Sequence, residues 1–503
     1  DWALSGQTGV RFNRDDAFRR ISRSFHAVKD SEYAPPASLQ KTLRKYQRDG
    51  YRWLRTLDGY GMGGILADDM GLGKTVQVLS YLLAMKQNGQ TLPSLIVCPA
   101  SLVLNWAEEC QKFTPELSCV VVDGDAAHRA ELAESWPAAD LVVTSYDLLR
   151  RDETLYEGQE FYACILDEAQ AIKNHTTQKY KAVCKVRSRV RFALTGTPVE
   201  NRLGELWSIF SFLMPGYLPP YKSFCSRFEK PIVQEEDQTA VRRLNQLTGP
   251  FILRRMKSDV LKELPPKTEN VYRIELEEEQ RKLYLAAVVD AREKLKAAKP
   301  EDKMAVFAVL MRLREICCDP RLIADNWEGG SAKLDACVEL VSSAVEGGHR
   351  ILLFSQFTSM LELLAKRLDA EGISHFTLQG STPKPVRAEL VRRFNGGEVS
   401  VFLISLRAGG TGLNLTAADI VIHYDPWWNI AAQNQATDRA YRIGQQNPVQ
   451  VYKLIAQDTI EEKIVELQQA KQSLADTVTG TADGAILSMR PDELLQLLEG
   501  SEP

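Results

Sequence analysis

Residues 68–75 read Asp68-Asp69-Met70-Gly71-Leu72-Gly73-Lys74-Thr75, between an apolar run at 64–67 and a helical pattern that opens at Val76. A glycine-bearing loop between strand and helix turns backbone N–H groups towards one point, where the helix dipole also favours negative charge. The chemistry is phosphate binding. Lys74 can reach the outer phosphates of a nucleotide, and Thr75 can ligate Mg²⁺. The strict pattern asks for glycine where Asp68 stands, so the match is one glycine short.

A second constellation follows the apolar run Phe161–Leu166, namely Asp167-Glu168-Ala169-Gln170. Alone it reads as an acidic helix cap. Beside a phosphate loop, Asp167 would hold Mg²⁺ through its water shell, and Glu168 would orient and deprotonate an attacking water. Ligands of open parallel sheets sit beyond the carboxyl ends of strands, where both elements fall. Leu194-Thr195-Gly196-Thr197-Pro198-Val199-Glu200-Asn201 follows another apolar run, and its hydroxyls could sense a γ-phosphate; alone it is a turn. Much later come Ser405–Asn414 and Gln435–Gln445. Arg439 and Arg442 are three apart and would share one face of a helix. A guanidinium reaching a γ-phosphate from another domain is an arginine finger, worth about 10³–10⁵ in rate. Taken singly, the pair reads as surface salt bridges.

The elements that must position these groups repeat one architecture. Strand candidates in the first half are 95–98, 119–122, 141–144, 164–166 and 191–194. In the second half they are 351–354, 375–378, 401–404, 420–423 and 449–454. Alternation with helical patterns predicts α/β architecture, two similar tandem parallel-sheet lobes with helical insertions. From about 202 to 335 strand signals nearly vanish, and 203–213 and 280–298 read as helices. Leu264-Pro265-Pro266-Lys267 is the best linker. The expected division is an N-terminal flank at 1–38, a first lobe at 39–267 with an insertion at about 202–262, and a second lobe at 268–458 with an insertion at about 278–335. A brace helix and tail would follow at 459–503.

The 503 residues suffice for several domains, and 44% hydrophobic with 25% charged residues is an ordinary globular mix. No apolar stretch is long enough to span a bilayer, so no membrane partner is expected. No secretory signal is visible, and a start at Asp1 without Met leads us to expect a fragment. The nine cysteines lack Cys-x-x-Cys spacing, so reduced core thiols are expected rather than zinc ligands. A net charge of −4 does not advertise nucleic acid, which would need basic residues gathered on one face.

The ordered set resembles helicase superfamily two, and within it the Swi/Snf-type DNA-translocating ATPases. The resemblance runs from about Leu39 to Ala475 and implies that the two tandem parallel-sheet lobes are RecA-like. Its most family-specific stretch is Phe251-Ile252-Leu253-Arg254-Arg255-Met256-Lys257-Ser258-Asp259-Val260, followed by Leu264–Lys267. In that family an aspartate at Asp68 is the usual departure from the first glycine. The resemblance implies an ATP site of Arg44, Gln47, Asp69, Met70, Gly71, Leu72, Gly73, Lys74, Thr75, Gln170 and Gly412, with Gln47 reading the base. It implies catalysis by Lys74, Asp167, Glu168, Arg439 and Arg442, and Mg²⁺ on Thr75 and Asp167. Double-stranded DNA contacts would come from Ser101, Asn105, Trp106, Thr144, Ser355, Gln356, Gln379, Arg407, Gly410, Thr411 and Trp428; without the resemblance, the Trp427-Trp428 pair after a strand reads as core.

ATP held between two lobes would close them, and hydrolysis would release them, ratcheting the protein along one DNA strand. The implied function is ATP-dependent translocation on duplex DNA that remodels protein–DNA complexes. The target would be a DNA-bound protein such as a polymerase, nucleoid protein or other roadblock. Strand separation and a nucleotide-gated non-enzymatic scaffold are the alternatives. Gln170 and Tyr441 stand where His is common in relatives, and Ile430 where Pro is frequent; these variants resemble microbial members. A cytoplasmic, nucleoid-associated location is then expected, or a nuclear one for a eukaryotic protein.

Overall fold

A computed structural model describes residues 33–196, 203–235, 237–261, 265–297, 299, 302–324, 326–409, 413–427, 430–466, 468, 494, 495 and 498. These form two compact units. The first takes 33–68, 73–196, 206–235 and 237–256; the second takes 69–72, 203–205 and the described residues from 257 onward.

The first unit is built on a seven-stranded, all-parallel sheet of β1 (Gly64–Leu66), β2 (Ser94–Cys98), β3 (Cys119–Val121), β4 (Leu141–Ser145), β5 (Glu160–Asp167), β6 (Arg187–Leu194) and β7 (Ile252–Leu253). The spatial order is β3-β4-β2-β5-β6-β1-β7. Its central strands are apolar without alternation because helices cover both faces, and Leu95, Ile96, Val97, Ile165 and Leu166 are fully buried. Register fixes which strand ends are level. Leu194 lies beside both Leu66 and Asp167, and Leu66 lies beside Leu253. The segments leaving β1, β5, β6 and β7 therefore emerge along one carboxyl edge.

The second unit carries a six-stranded parallel sheet of β8 (Lys267–Ile274), β9 (Ile351–Ser355), β10 (His375–Leu378), β11 (Val401–Ser405), β12 (Ile420–His423) and β13 (Val449–Ala456). The order is β10-β11-β9-β12-β13-β8. One face packs Leu353 and Leu403 against Leu334, Val341, Met360 and Leu364 of the helices Ala332–Glu346 and Thr358–Ala370. The other packs Phe354 and Phe402 against Phe394. Glu278–Ala297 and Lys303–Cys318 form a helical pair with its own core, which Leu494 and Leu498 join.

All ten strand candidates are strands, and the helices expected at 203–213 and 280–298 are present as Leu203–Leu213 and Glu278–Ala297. The expectation that strands vanish from 202 to 335 is corrected by β7 and β8. β7 is only two residues long. β8 pairs with β13 along its whole length, yet exposes every residue except Ile274. A solvated edge strand needs no apolar run, so Lys267-Thr268-Glu269-Asn270 carries no strand signal. Of the brace helix expected to open at 459, residues 460–466 are helical. Among the described residues no helix is long and apolar enough to cross a membrane.

Candidate nucleotide site

β1 delivers the chain into the loop at 68–75, and the helix Lys74–Gln87 leaves it. Gly71 and Gly73 both take left-handed conformations, with φ of +84° and +74°. Gly73 is the helix N-cap, and a Cβ there would sit 2.5 Å from Gln47 Nε2. Glycine is thus required twice over, by φ and by space. The loop's N–H groups lie at the start of a fourteen-residue helix, an arrangement that suits an anion. Lys74 Nζ donates to the Asp68 carbonyl at 2.7 Å, which folds its ammonium back over the loop. Thr75 is half-buried in the first helical turn.

Gln47 lies behind the loop. It is 5% exposed, and its Oε1 accepts the Arg44 N–H at 2.9 Å, capping the helix Lys45–Gly59. Asp69 and Met70 are half-buried and Leu72 is fully buried.

β5 ends on Asp167, and the next residue, Glu168, takes φ of +49° without being glycine. Such a conformation costs about 1–2 kcal/mol and swings the chain sharply out of the strand. Asp167 Oδ2 accepts Trp106 Nε1–H at 2.8 Å, Oδ1 accepts the Glu168 N–H at 2.9 Å, and its carbonyl accepts the Tyr146 hydroxyl at 2.9 Å. Among the described residues no cation touches this carboxylate. Loss of water and the adjacent Glu168 push its pKa up to about 7, against the pull of the Trp106 N–H and the Lys74 charge. Gln170 Nε2 donates to Glu168 Oε2 at 2.8 Å, and Thr195 Oγ1 donates to Gln170 Oε1 at 3.0 Å. Thr195 follows β6, so this chain of bonds links two strand ends. Residues 197–201 of that third segment lie outside the described residues.

A carboxylate with neutral donors and no cation, next to a phosphate cradle, fits Mg²⁺. Such ions take one or two protein oxygens and fill the remainder with phosphate and water. No cluster of three or more metal-ligating side chains occurs among the described residues.

The residues expected to grip DNA divide. Ser101, Asn105 and Gln379 are half-buried at strand or helix ends, and Asn105 Nδ2 donates to Glu109 at 3.1 Å. Trp106, an expected DNA contact, is 1% exposed and gives its one N–H to Asp167. Thr144 is likewise fully buried and accepts the Tyr156 hydroxyl at 3.0 Å. Ser355 is buried and donates to Asp425 Oδ1 at 2.6 Å. Gln356 gives its backbone N–H to Asp425, and its Oε1 accepts Arg314 Nη1 at 2.6 Å. Arg407 lies in the short helix Leu406–Gly409. Gly410, Thr411, Gly412 and Trp428 lie outside the described residues. Trp427 is partly buried against two core clusters.

Arg439 and Arg442 do not share a helix face, because the helix Ile430–Thr437 stops short of them. The chain turns tightly after it, with Arg439 N–H on Ala436 O at 3.2 Å and Ala440 N–H on Thr437 O at 3.1 Å. Gln445 Nε2 donates to the Ala440 carbonyl at 3.1 Å and to the Ala418 carbonyl at 2.7 Å, which holds the turn. Arg439 is 1% exposed, and Arg442 is half-buried with Nη1 near the Leu413 carbonyl at 3.4 Å. The sequence also missed Tyr146, Arg314 and Asp425 as network members. Their partners lie far away in the chain, so no local spacing announces them.

A phosphate loop and a carboxylate pair on one edge of a parallel sheet, in a chain that carries a second such sheet, define the helicase-type P-loop proteins. Comparison with known families matches residues 46–322 to the SNF2-related domain and residues 332–444 to the helicase conserved C-terminal domain. The chain belongs to the SNF2-related family. It is 40% identical over 463 residues to an uncharacterized ATP-dependent helicase of Mycoplasma genitalium, covering 91% of this chain and 44% of that protein. It is 39% identical over 505 residues to YwqA of Bacillus subtilis, whose name places it provisionally among ATP-dependent helicases/translocases; 98% of this chain and 55% of that protein are covered. The chain thus spans about half the length of these relatives. Among solved structures, the Sulfolobus solfataricus SWI2/SNF2 ATPase core in complex with dsDNA is 37% identical, with 86% of this chain and 92% of that chain covered and a TM-score of 0.45.

Proposed function

We propose that this chain is a DNA-dependent ATPase that moves along double-stranded DNA and remodels protein–DNA complexes without separating the strands. One observation carries the ATPase reading. The phosphate loop, Asp167–Glu168 and Thr195 leave three adjacent strands on one level edge, and Gln170 ties the last two together. Lys74 would neutralise the outer phosphates, and Glu168 would align and deprotonate the attacking water. Thr75 and Asp167 would hold Mg²⁺, whose charge offsets that developing on the transferred phosphoryl group. Arg439 and Arg442 would add guanidinium charge from the second unit. Duplex translocation is supported by the family-specific segment 251–260, by family membership, and by the translocase half of the name that YwqA carries.

The test compares ATP turnover by the intact chain on duplex DNA, single-stranded DNA and RNA, with a displaced-strand assay in parallel. Strongest stimulation by duplex DNA with no strand released is the expected result. Strong turnover on RNA with weak turnover on duplex DNA overturns the substrate assignment. A released strand turns the reading towards a helicase. Arg439→Ala and Arg442→Ala should spare ATP binding and cut turnover; no loss in either removes the arginine assignment.

A further inference from the structure

Asp68 breaks the glycine rule of the phosphate loop, and the fold makes use of the side chain it gains. The carboxylate is fully buried. Arg255, just beyond β7, donates from Nε to Asp68 Oδ1 at 2.7 Å and from Nη2 to Oδ2. The same Nη2 donates to Gln77 Oε1 at 2.7 Å, and Nη1 donates to the Tyr46 carbonyl. Gln77, in the second turn of the helix leaving the loop, returns its Nε2 to Asp68 Oδ2 at 3.1 Å. The guanidinium also lies 5.3 Å from the Tyr46 ring centroid, within cation–π range. Arg255 keeps 13% of its side chain exposed.

The neighbouring helix Lys45–Gly59 is shaped to admit this cluster. Gly50 sits mid-helix, where glycine is disfavoured. A Cβ at Gly50 would meet Gln77 Oε1 at 1.8 Å and Arg255 Nη2 at 2.8 Å. One arginine thus fastens together the helix that carries Gln47, the entrance of the phosphate loop, the helix that leaves the loop, and the segment that follows β7.

We propose that the Asp68–Arg255 clasp is a positioning device for nucleotide binding. It holds the Tyr46–Gln47 segment and the phosphate loop in one geometry before the nucleotide arrives, which lowers the ordering cost of binding. Arg255 touches no expected substrate atom and acts through Asp68, Gln77 and Tyr46. Only a planar fork can serve both carboxylate oxygens and two further acceptors, so lysine cannot replace it. Asp68→Gly, which would complete the strict glycine pattern, is therefore expected to weaken binding, because it strands the Arg255 charge. The inference rests on the nucleotide reading given above.

The experiment measures equilibrium binding of a fluorescent ATP analogue to the full chain, together with KM and kcat for ATP on duplex DNA. Arg255→Lys, Asp68→Asn and Asp68→Gly should weaken analogue binding about 10- to 100-fold, the range expected when groups behind contacting residues are cut. KM should rise in parallel, with kcat held within about threefold, since pre-ordering is a ground-state effect. Asp68→Asn/Arg255→Gln should bind no more weakly than the worse single variant. Folded variants with wild-type affinity, or with a lowered kcat at unchanged KM, overturn the clasp as a positioning device. So does failure of both Arg255→Lys and Asp68→Asn to fold, which would make it a stability element. A wild-type chain that binds no nucleotide sinks the nucleotide reading itself, whereas equal binding by wild type and variants sinks only the clasp.

Discussion

Each sheet ends a central strand on or next to an aspartate, and the two carboxylates are kept in opposite ways. In the second unit Asp425, two residues past β12, is fully buried. It takes the Ser355 hydroxyl at 2.6 Å, the Gln356 N–H at 3.1 Å and Arg314 Nη2 at 3.1 Å. Arg314 is itself fully buried, with its guanidinium 5.4 Å from the Phe357 ring centroid. Every charge there has its counter-charge. In the first unit Asp167 receives an indole N–H and a backbone N–H, has a second carboxylate as its chain neighbour, and touches no cation among the described residues. A buried carboxylate with a full partner set is architecture; a half-buried one left without a cation, its pKa pushed up to about 7, is held ready for a positive charge the fold does not supply.

The sharpest way to break this contrast is to remove the Asp167 charge and, separately, the counter-charge of Asp425. Asp167→Asn should cut duplex-stimulated ATP turnover on the order of 10³-fold, the scale of lost electrostatic stabilisation in phosphoryl transfer. Its thermal midpoint should not fall below that of the wild type. Arg314→Met should do the reverse in kind. It leaves Asp425 buried without its cation and should lose about 3–5 kcal/mol of stability. Arg314→Met/Asp425→Asn should recover much of that in urea unfolding, since no lone charge remains. If Asp167→Asn unfolds the chain while Arg314→Met is neutral, the assignment of roles is inverted.

Titration sharpens the contrast more gently. Asp167 has a folded pKa of about 7 against an ordinary 3.8, so between pH 4 and 7 the folded chain holds a proton that the unfolded chain has lost. This group's contribution to stability therefore falls as pH rises, by up to about 1.4 kcal/mol per unit. His423, at the end of β12, runs the other way. Burial lowers its pKa from 6.5 to about 3, so only the unfolded chain takes up a proton between those values, and stability falls as pH drops. Urea midpoints of the nucleotide-free protein from pH 4 to 7.5 check both signs. Relative to wild type, Asp167→Asn should gain with rising pH. His423→Gln, which keeps a donor for the Thr437 hydroxyl 2.9 Å away, should gain with falling pH. Slopes of one sign for both variants would refute the opposition.

The same physics explains what could be read without coordinates. Apolar runs of both sheets were legible because parallel strands are covered on two faces, and the phosphate loop was legible because its glycines, lysine and threonine are contiguous. The polar edge strand β8 was not, since exposure removes the pattern. Nor was the end of the helix before Arg439, which rests on Gln445 reaching back to Ala440. Partnerships across the fold, such as Arg314 with Asp425 or Arg255 with Asp68, leave no local trace. Burial divides the residues assigned to DNA by resemblance. Ser101 and Gln379 keep surface, whereas Thr144, Ser355 and Trp106 are spent inside.

Trp106 gives the smallest and most discriminating test. If its indole serves to aim the Asp167 carboxylate, Trp106→Phe keeps the ring in its buried slot and removes only the N–H. The Mg²⁺ concentration for half-maximal turnover should then rise about tenfold, the lower range for cutting a group behind a metal ligand. Rate at saturating Mg²⁺ and affinity for duplex DNA should stay near wild type. A DNA contact predicts the reverse, with weakened duplex binding and an unchanged Mg²⁺ requirement. Because the residue is 1% exposed, the first outcome is the one the packing supports, and it would place a tryptophan of a nominal DNA segment in the service of the nucleotide site.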